Sequence, residues 1–186
     1  MDMQIKIHRG VDQIGGCITE IKSKKARILI DVGTNLPNTE SKVKVNVSNI
    51  SKKCDAVFIT HYHLDHIGEY MKVKKKIPIY IGEQAKDIFM IYQKKMKEPS
   101  LSEITQEHID RLKTFKTFEA NSPIIVGDMK ITPIRVDHSA YDSYMFLVQA
   151  EDKKLLHTGD FRTHGPIGKD IPNLLKGIGK VDTLIC

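Results

Sequence analysis

The densest group of chemically competent side chains in the sequence follows the apolar run 56–59. It consists of His61, His63, Asp65 and His66, three imidazoles and one carboxylate within six residues. Polar groups are costly to bury, so a packed core rarely contains so many of them. Imidazole and carboxylate together favour Zn²⁺, with Mn²⁺ or Fe²⁺ as alternatives. Closed structural sites rely on cysteine, which this loop lacks, so the sequence favours a catalytic metal site over a zinc clip or a surface histidine cluster.

The spacing within this metal loop, residues 60–66, predicts two ions. His61 and His63 are two residues apart on extended chain, so their side chains point to the same side and can share one ion. Asp65 and His66 come where the chain turns into a helix that we expect to begin near residue 67, so their side chains leave in another direction and suit a second ion. A pair of ions a few ångströms apart is a common arrangement for activating water against phosphate or acyl bonds.

Further ligand candidates stand at the ends of other predicted strands. His138 follows an alternating strand, and Asp160 follows another strand and Gly159. Because adjacent strands bring their ends together, we expect these side chains to reach a common rim. Asp31 closes the apolar strand 27–30, where it either caps a turn or reaches into the site, and the residues alone leave both roles open.

The elements that must position these residues are strands first and then alternating strands and helices. A helical segment at about 83–113 contains one amphipathic helix that Pro99 stops and a second that Ser100 and Glu103 cap. We predict strands at 3–8, 17–21, 27–30, 56–59, 77–81, 114–118, 124–126, 129–136, 144–148 and 155–157, a short extended segment at 43–47, and an apolar strand at the C-terminal run 181–186.

Composition sets broader bounds. The 186 residues are 40% hydrophobic and 28% charged, as in an ordinary globular domain, and no apolar run is long enough to span a bilayer. Cys17, Cys54 and Cys186 are odd in number and form no CxxC pair, which favours a reducing cytoplasm. The net charge of +6 suits a polyanionic partner, although lysine-rich solvated surfaces are the commoner origin of such a charge.

The order of these motifs resembles a known family. Asp31, the HxHxDH pattern at 61–66, His138-Ser139 and the Thr158-Gly159-Asp160-Phe161 segment together resemble the metallo-β-lactamase fold hydrolases, and among them the β-CASP nucleases of the ribonuclease J type. The likeness extends from about His8 to Arg162. It implies an α/β fold of the αββα sandwich type. It also implies that residues 1–186 are the N-terminal part of a metallo-β-lactamase domain that is incomplete at its C-terminus, with the β-CASP insertion absent.

The resemblance implies a role for each ligand candidate. Asp65 and Asp160 would be the catalytic carboxylates, and a hydroxide that bridges two Zn²⁺ ions would be the nucleophile. The third protein ligand of the second ion would come from a later histidine that this sequence does not contain. The implied assignments are His61, His63 and His138 to one zinc, Asp65 and His66 to the other, Asp160 as a bridge between them, and Asp31 as the group that orients the ligands from behind.

The implied function is a zinc-dependent RNA phosphodiesterase, with RNA as its partner. The resemblance implies no membrane association and is compatible with a homo-oligomer. Two alternatives remain: a small-molecule hydrolase of the same fold, such as a thioesterase or lactonase, and a catalytically incomplete metal-binding fragment. Ser139, Arg162 and His164 are candidate substrate-binding residues, although Arg162 could equally pair with a neighbouring carboxylate. His157 lies inside a strand pattern, and we expect it to be a core histidine.

Overall fold

The protein forms two β-sheets that pack face to face. The computed structural model describes residues 3–37, 43–95 and 103–186. Its strands are β1 (Gln4–Arg9), β2 (Ile18–Lys22), β3 (Arg27–Ile30), β4 (Ala56–Phe58), β5 (Ile79–Gly82), β6 (Lys116–Phe118), β7 (Ile124–Val126), β8 (Met129–Val136), β9 (Ser143–Ala150), β10 (Lys153–His157) and β11 (Thr183–Ile185). The first sheet has the order β1-β2-β3-β4-β5-β6, and the second has the order β11-β10-β9-β8-β7.

Helices cover the outer face of each sheet. They are α1 (Val47–Ser51), α2 (Leu64–Ile67), α3 (Glu83–Lys95), α4 (Glu103–Lys113) and α5 (Ile171–Ile178). No helix within the described ranges combines the length and the apolarity that crossing a bilayer requires. The order of layers is therefore helix, sheet, sheet, helix, and the predicted αββα sandwich is confirmed.

Alternation along the strands explains the three layers of core. In β3, Leu29 packs on the helical side of the first sheet, whereas Ile28 and Ile30 join the core between the sheets. In β9, Phe146 faces that same inter-sheet core, whereas Met145 packs towards α5. Because both faces of each sheet are covered, these central strands are apolar on both sides.

Parallel pairing brings the ends of three strands to one rim. β3, β4 and β5 pair in parallel, with Ile30 opposite Phe58 and Phe58 opposite Tyr80. The backbone N–H of Asp31 donates to the carbonyl of Phe58 at 2.9 Å, which continues the ladder for one residue beyond the strand. The residues that follow β3 and β4 therefore emerge side by side, as the sequence predicts.

Some predicted elements were wrong in detail. The predicted extended segment at 43–47 forms no strand: its described residues are irregular up to residue 46, and α1 begins at Val47 with Asn46 as its N-cap. The helix expected near residue 67 begins at Leu64, so Asp65 and His66 lie within it. Pro99 and Ser100, the predicted stop and cap, lie outside the described residues.

Candidate metal centre

The metal loop packs against the chain that leaves β3. The backbone N–H of Val32 donates to the carbonyl of His66 at 2.8 Å, and that of Thr34 donates to the carbonyl of Leu64 at 2.9 Å. Gly33 lies between these two bonds, where a Cβ would overlap the carbonyl of Asp65. Only glycine allows the two backbones to come this close, so the sequence around residue 33 fixes the position of α2.

Three imidazoles converge at the first cluster. His61 Nε2 lies 3.2 Å from His63 Nδ1, and His138 Nε2 lies 3.3 Å from the same His63 atom. Nitrogen ligands in a tetrahedral zinc site, each about 2.0–2.1 Å from the ion, are separated by roughly 3.3 Å. The spacing and the imidazole donors of this cluster therefore fit one cation, and the cluster joins a loop of the first sheet to a loop of the second.

A second cluster forms around His66 Nε2. Asp160 Oδ1 lies 3.4 Å from this nitrogen, and Asp65 Oδ2 lies 3.8 Å from it. The other oxygen of Asp160 lies 3.7 Å from His138 Nε2, in the first cluster. One carboxylate thus turns an oxygen towards each cluster, which is the arrangement that a bridging ligand requires. His61, His66 and Asp160 also offer ligand atoms that all lie within 4.8 Å of one another.

Asp31 holds the second cluster in place from the protein interior. It is fully buried, and its Oδ2 accepts hydrogen bonds from His66 Nδ1 at 2.7 Å and from the Thr60 hydroxyl at 2.8 Å. Its Oδ1 accepts from the Thr60 backbone N–H at 2.8 Å. Because Nδ1 of His66 is occupied in this way, Nε2 is the nitrogen left for a cation. The sequence left the role of Asp31 open between a turn and the site, and the structure places it in contact with the site.

The electrostatics separate the histidines into two kinds. Burial, together with the neighbouring imidazole of His66, lowers the pKa of His61 to about 2, so His61 is neutral at physiological pH. Burial also acts to lower the pKa of His66, but the carboxylates of Asp31 and Asp160 outweigh it and raise that pKa to about 10. Burial lowers the pKa of His138. His61 and His138 are thus favoured in the neutral form that binds a cation, whereas His66 must first lose a proton.

Three residues at the site carry no metal-ligand pattern in the sequence and were missed. Thr60 bonds Asp31, and its hydroxyl also lies 3.0 Å from His61 Nδ1. The hydroxyl of Tyr62 accepts the backbone N–H of Tyr141 at 3.1 Å, which ties the metal loop to the loop after His138. The third residue is Asp137, which directly precedes His138. The only available signal was position, since each of the three directly adjoins a ligand candidate.

Asp137 anchors the segment that follows Asp160. Its Oδ1 accepts a hydrogen bond from Arg162 Nε at 2.6 Å, and its Oδ2 accepts from the backbone N–H of Ile167 at 2.9 Å and of Gly168 at 3.2 Å. The side chain is buried, and these bonds together with the adjoining positive charge lower its pKa although burial opposes them. Asp137 therefore holds residues 162–168 beside His138.

The remaining sequence candidates have different positions. The hydroxyl of Ser139 is exposed and lies 3.5 Å from His138 Nε2, at the mouth of the centre. Arg162 forms the ion pair with Asp137, so one of its two predicted roles is filled. His164 is exposed, and within the described ranges no hydrogen bond joins it to a ligand candidate. His157 ends β10 as a buried residue and bonds the Thr19 hydroxyl and the N–H of Gly159, which confirms a core histidine.

The cysteine beside the centre is a thiol. Burial, with the nearby carboxylates of Asp31, Asp160 and Asp65, raises the pKa of Cys17 to about 12. All three cysteines are free. Neither group of converging ligand atoms among the described residues includes Cys17, so the donor set of the two clusters is one of imidazoles and carboxylates.

Two facing sheets with these clusters at one rim define a metallo-β-lactamase fold. The metallo-β-lactamase fold protein YhfI from Bacillus subtilis superposes with a TM-score of 0.62 at 16% identity, covering 99% of this chain and 70% of that one. The protein belongs to the family described as anti-Pycsar protein Apyc1, whose model matches residues 18–172.

The curated relatives of the chain are named as ribonucleases and not as Apyc1. Ribonuclease J from Helicobacter pylori is 30% identical over 169 residues, which are 85% of this chain and 23% of that protein. An RNase J-like protein from Methanocaldococcus jannaschii is 28% identical over 180 residues, 91% of this chain and 40% of that protein. The chain thus resembles ribonuclease J, as its motifs predict, while spanning less than half the length of these relatives.

Proposed function

We propose that the protein is a metal-dependent phosphodiesterase that acts on RNA. The observation that supports this most strongly is the pair of adjoining clusters, in which Asp160 turns one oxygen towards His138 and the other towards His66. The resemblance to ribonuclease J supports RNA as the substrate. The net charge of +6 is in keeping with a polyanionic partner.

In this proposal each cluster holds one cation. When bound, the two cations would activate water and neutralise charge that develops on a phosphate oxygen. Imidazole and carboxylate donors favour zinc, with manganese as the alternative. His61, His63 and His138 hold one ion, Asp65 and His66 hold the other, and Asp160 contacts both. Asp31 orients His66, and Ser139 lies where a substrate would approach.

Replacing Asp65 tests this assignment. Asp65→Asn removes a charged ligand of the second ion only, so we expect about one metal per chain where the unchanged protein has two. We also expect a fall of about a thousandfold in kcat, since stabilisation by the metal is worth several kcal/mol. Metal content is measured by elemental mass spectrometry, and turnover by cleavage of end-labelled single-stranded RNA.

Asp152→Asn is the matched control for this test. Asp152 is an exposed aspartate in the turn between β9 and β10, so both metal content and RNA cleavage should be unchanged. Equal metal content in Asp65→Asn and the unchanged protein would contradict the assignment of Asp65.

A small-molecule hydrolase is the second candidate. It is favoured by the family match over residues 18–172, because the description anti-Pycsar protein Apyc1 names no ribonuclease. A substrate panel separates the candidates: single-stranded RNA, bis(p-nitrophenyl) phosphate, a thioester and a lactone. Hydrolysis of a small substrate with intact RNA would favour the second candidate. A protein that binds metal and hydrolyses none of them would support the metal-binding fragment instead.

Free cysteine thiols are typical of proteins in a reducing compartment. The three cysteines are free in the structure, and we propose a cytoplasmic protein on this ground. Whether copies of the chain associate stays open, as it does in the sequence.

A further inference from the structure

A cavity of about 230 Å³ adjoins the first cluster on the side of the second sheet. We call it the stacking pocket. Its walls include His138, Arg135, Tyr141, Arg162, Pro166 and Ile167. The volume falls below the roughly 300–1,000 Å³ of sites that enclose a whole drug-sized ligand, so the pocket suits one ring system of a larger substrate whose other part lies at the metal centre.

Tyr141 is the exposed aromatic residue of this pocket. The guanidinium of Arg135 lies 4.9 Å from the centre of the Tyr141 ring, which is the geometry of a cation–π contact. The residue is nevertheless 55% exposed. The ring is thus held by the guanidinium while more than half of the residue stays open to solvent. An aromatic ring that is held in place and exposed in this way can act as a platform for stacking.

The surroundings keep this platform in place. The backbone N–H of Tyr141 donates to the Tyr62 hydroxyl at 3.1 Å, and its neighbour Asp142 is buried and bonds the start of α3 through the N–H of Ala85 at 3.0 Å. The ring therefore belongs to a loop that is fixed at both ends and that also contains His138. Its distance from the metal centre is set by the fold.

Arg135 contributes positive charge with an unused donor. Its Nε is buried and has no hydrogen-bond partner within the described part of the chain. Arg162, on the other wall, pairs with Asp137 at 2.6 Å. The charge of Arg162 is thus offset by Asp137, whereas the guanidinium of Arg135 interacts with the Tyr141 side chain, near the Asp142 carboxylate, and so holds and polarises the ring.

We propose that Tyr141, backed by Arg135, stacks on a nucleobase of the substrate while the adjoining phosphodiester lies at the metal centre. This inference rests on the proposed phosphodiesterase function for its choice of ligand. The ligand class is a nucleotide, either one residue of an RNA strand or a small nucleotide. Stacking is tolerant of sequence because every base has a π-face. Tyr141 is a binding residue that sets substrate position.

Equilibrium binding tests the proposal without depending on turnover. The probes are a tetraribonucleotide with phosphorothioate linkages, its abasic counterpart of equal charge, adenosine monophosphate and ribose 5-phosphate. With zinc-loaded protein we expect the base to tighten binding by about tenfold in at least one pair, in keeping with measured base–aromatic stacking. Tyr141→Ala should abolish this preference and leave the abasic probes bound as before.

Tyr141→Phe is the matched control, because it keeps the ring and removes only the hydroxyl. Its base preference should stay within about threefold of the unchanged protein. An absent base preference in the unchanged protein, or a full preference in Tyr141→Ala, would overturn the proposal. A base preference in the tetranucleotide pair indicates a strand as ligand, and one in the mononucleotide pair alone indicates a small nucleotide. Failure to cleave RNA would contradict the proposed function and leave this binding result standing.

Discussion

At the scale of single residues, the contact between Asp31 and His66 favours the protonated form of His66, the form from which the proposed second metal site would start. The Asp31 carboxylate accepts from His66 Nδ1 at 2.7 Å and helps to raise the pKa of His66 to about 10. The folded-state pKa thus lies above the ordinary value of about 6.5. In the metal-free protein this contact contributes its full stability below about pH 6.5 and loses it as the pH rises through about 10.

Metal binding should therefore release a proton from His66 at neutral pH. Asp31→Asn removes the charge that holds this proton, so we expect the variant to release fewer protons when zinc binds at pH 7.5. It should also bind the second ion about 10–100-fold more weakly, as is typical when a group that supports a ligand is removed. Calorimetry in two buffers of different ionisation enthalpy measures both quantities.

Asp152→Asn is again the control, because Asp31 and Asp152 both have positive φ, at 62° and 59°, and asparagine tolerates this conformation. Proton release that is identical in Asp31→Asn and the control would show that His66 is not the source.

At the scale of elements, the loop between β8 and β9 of the second sheet forms hydrogen bonds to the layer of the first sheet near the centre. Asp142 lies in this loop with a φ of 65°, and its Oδ1 accepts the Tyr144 hydroxyl at 2.7 Å while Oδ2 accepts the Ala85 N–H at 3.0 Å. Gly82 makes room, since a Cβ there would overlap the Asp142 carboxylate. One side chain therefore joins the N-terminal turn of α3 to the first residues of β9.

Replacing this acceptor should destabilise the whole fold. Asp142→Asn keeps the size of the side chain and its tolerance of positive φ, but leaves a buried donor without a partner. We expect a loss of about 1–3 kcal/mol in the free energy of unfolding, measured by urea denaturation, with Asp152→Asn unchanged within about 0.5 kcal/mol. Equal stability of the two variants would mean that another group replaces the missing acceptor.

The elements also show where sequence reasoning succeeds. The strands β7 and β8 have the predicted bounds, because the two-residue turn Gly127-Asp128 separates a short apolar run from the alternating residues of β8. The short helix α1 was missed because its five residues carry too little periodicity, and the hydrogen bond that its N-cap Asn46 accepts from the Asn49 N–H is visible only in the structure. α5 was missed although Pro172 stands at its start, a position where proline is favoured.

The residues of the site also fall into two groups, those that the sequence indicates and those that it does not. The candidate ligands could be identified because three histidines and an aspartate are crowded into one loop. Their supports could not, because Thr60, Tyr62 and Asp137 act through long-range contacts that leave no spacing in the sequence. The Asp137 carboxylate, for example, bonds groups 25 and 30 positions away.

At the scale of the whole molecule, the centre joins the two halves of the sandwich. His61, His63 and His66 lie in the segment that follows β4 of the first sheet, and His138 and Asp160 follow strands of the second. A cation held by both groups would therefore stabilise the packing of one sheet against the other, in addition to the inter-sheet core around Phe58 and Phe146.

Removing the metal should lower the melting temperature. A ligand at about a thousand times its Kd stabilises the folded state by about 4 kcal/mol, so zinc-loaded protein should melt several degrees above chelator-treated protein in scanning calorimetry. His138→Ala should lose most of this difference, whereas His164→Ala, at an exposed position, should keep it. A zinc effect that is unchanged in His138→Ala would contradict the assignment of His138.

The histidines of the first cluster lie far apart in the sequence, and this distance determines when the cluster can form during synthesis. His63 and His138, which lie 3.3 Å apart in the folded protein, are 75 positions apart in the sequence. A nascent chain on the ribosome has synthesised the first loop long before the last imidazole of that cluster exists, and Asp160 is added later still. A cation that needs all three imidazoles could therefore bind only after residue 138 has been synthesised, and a translation product that stops before residue 138 should be a much weaker chelator.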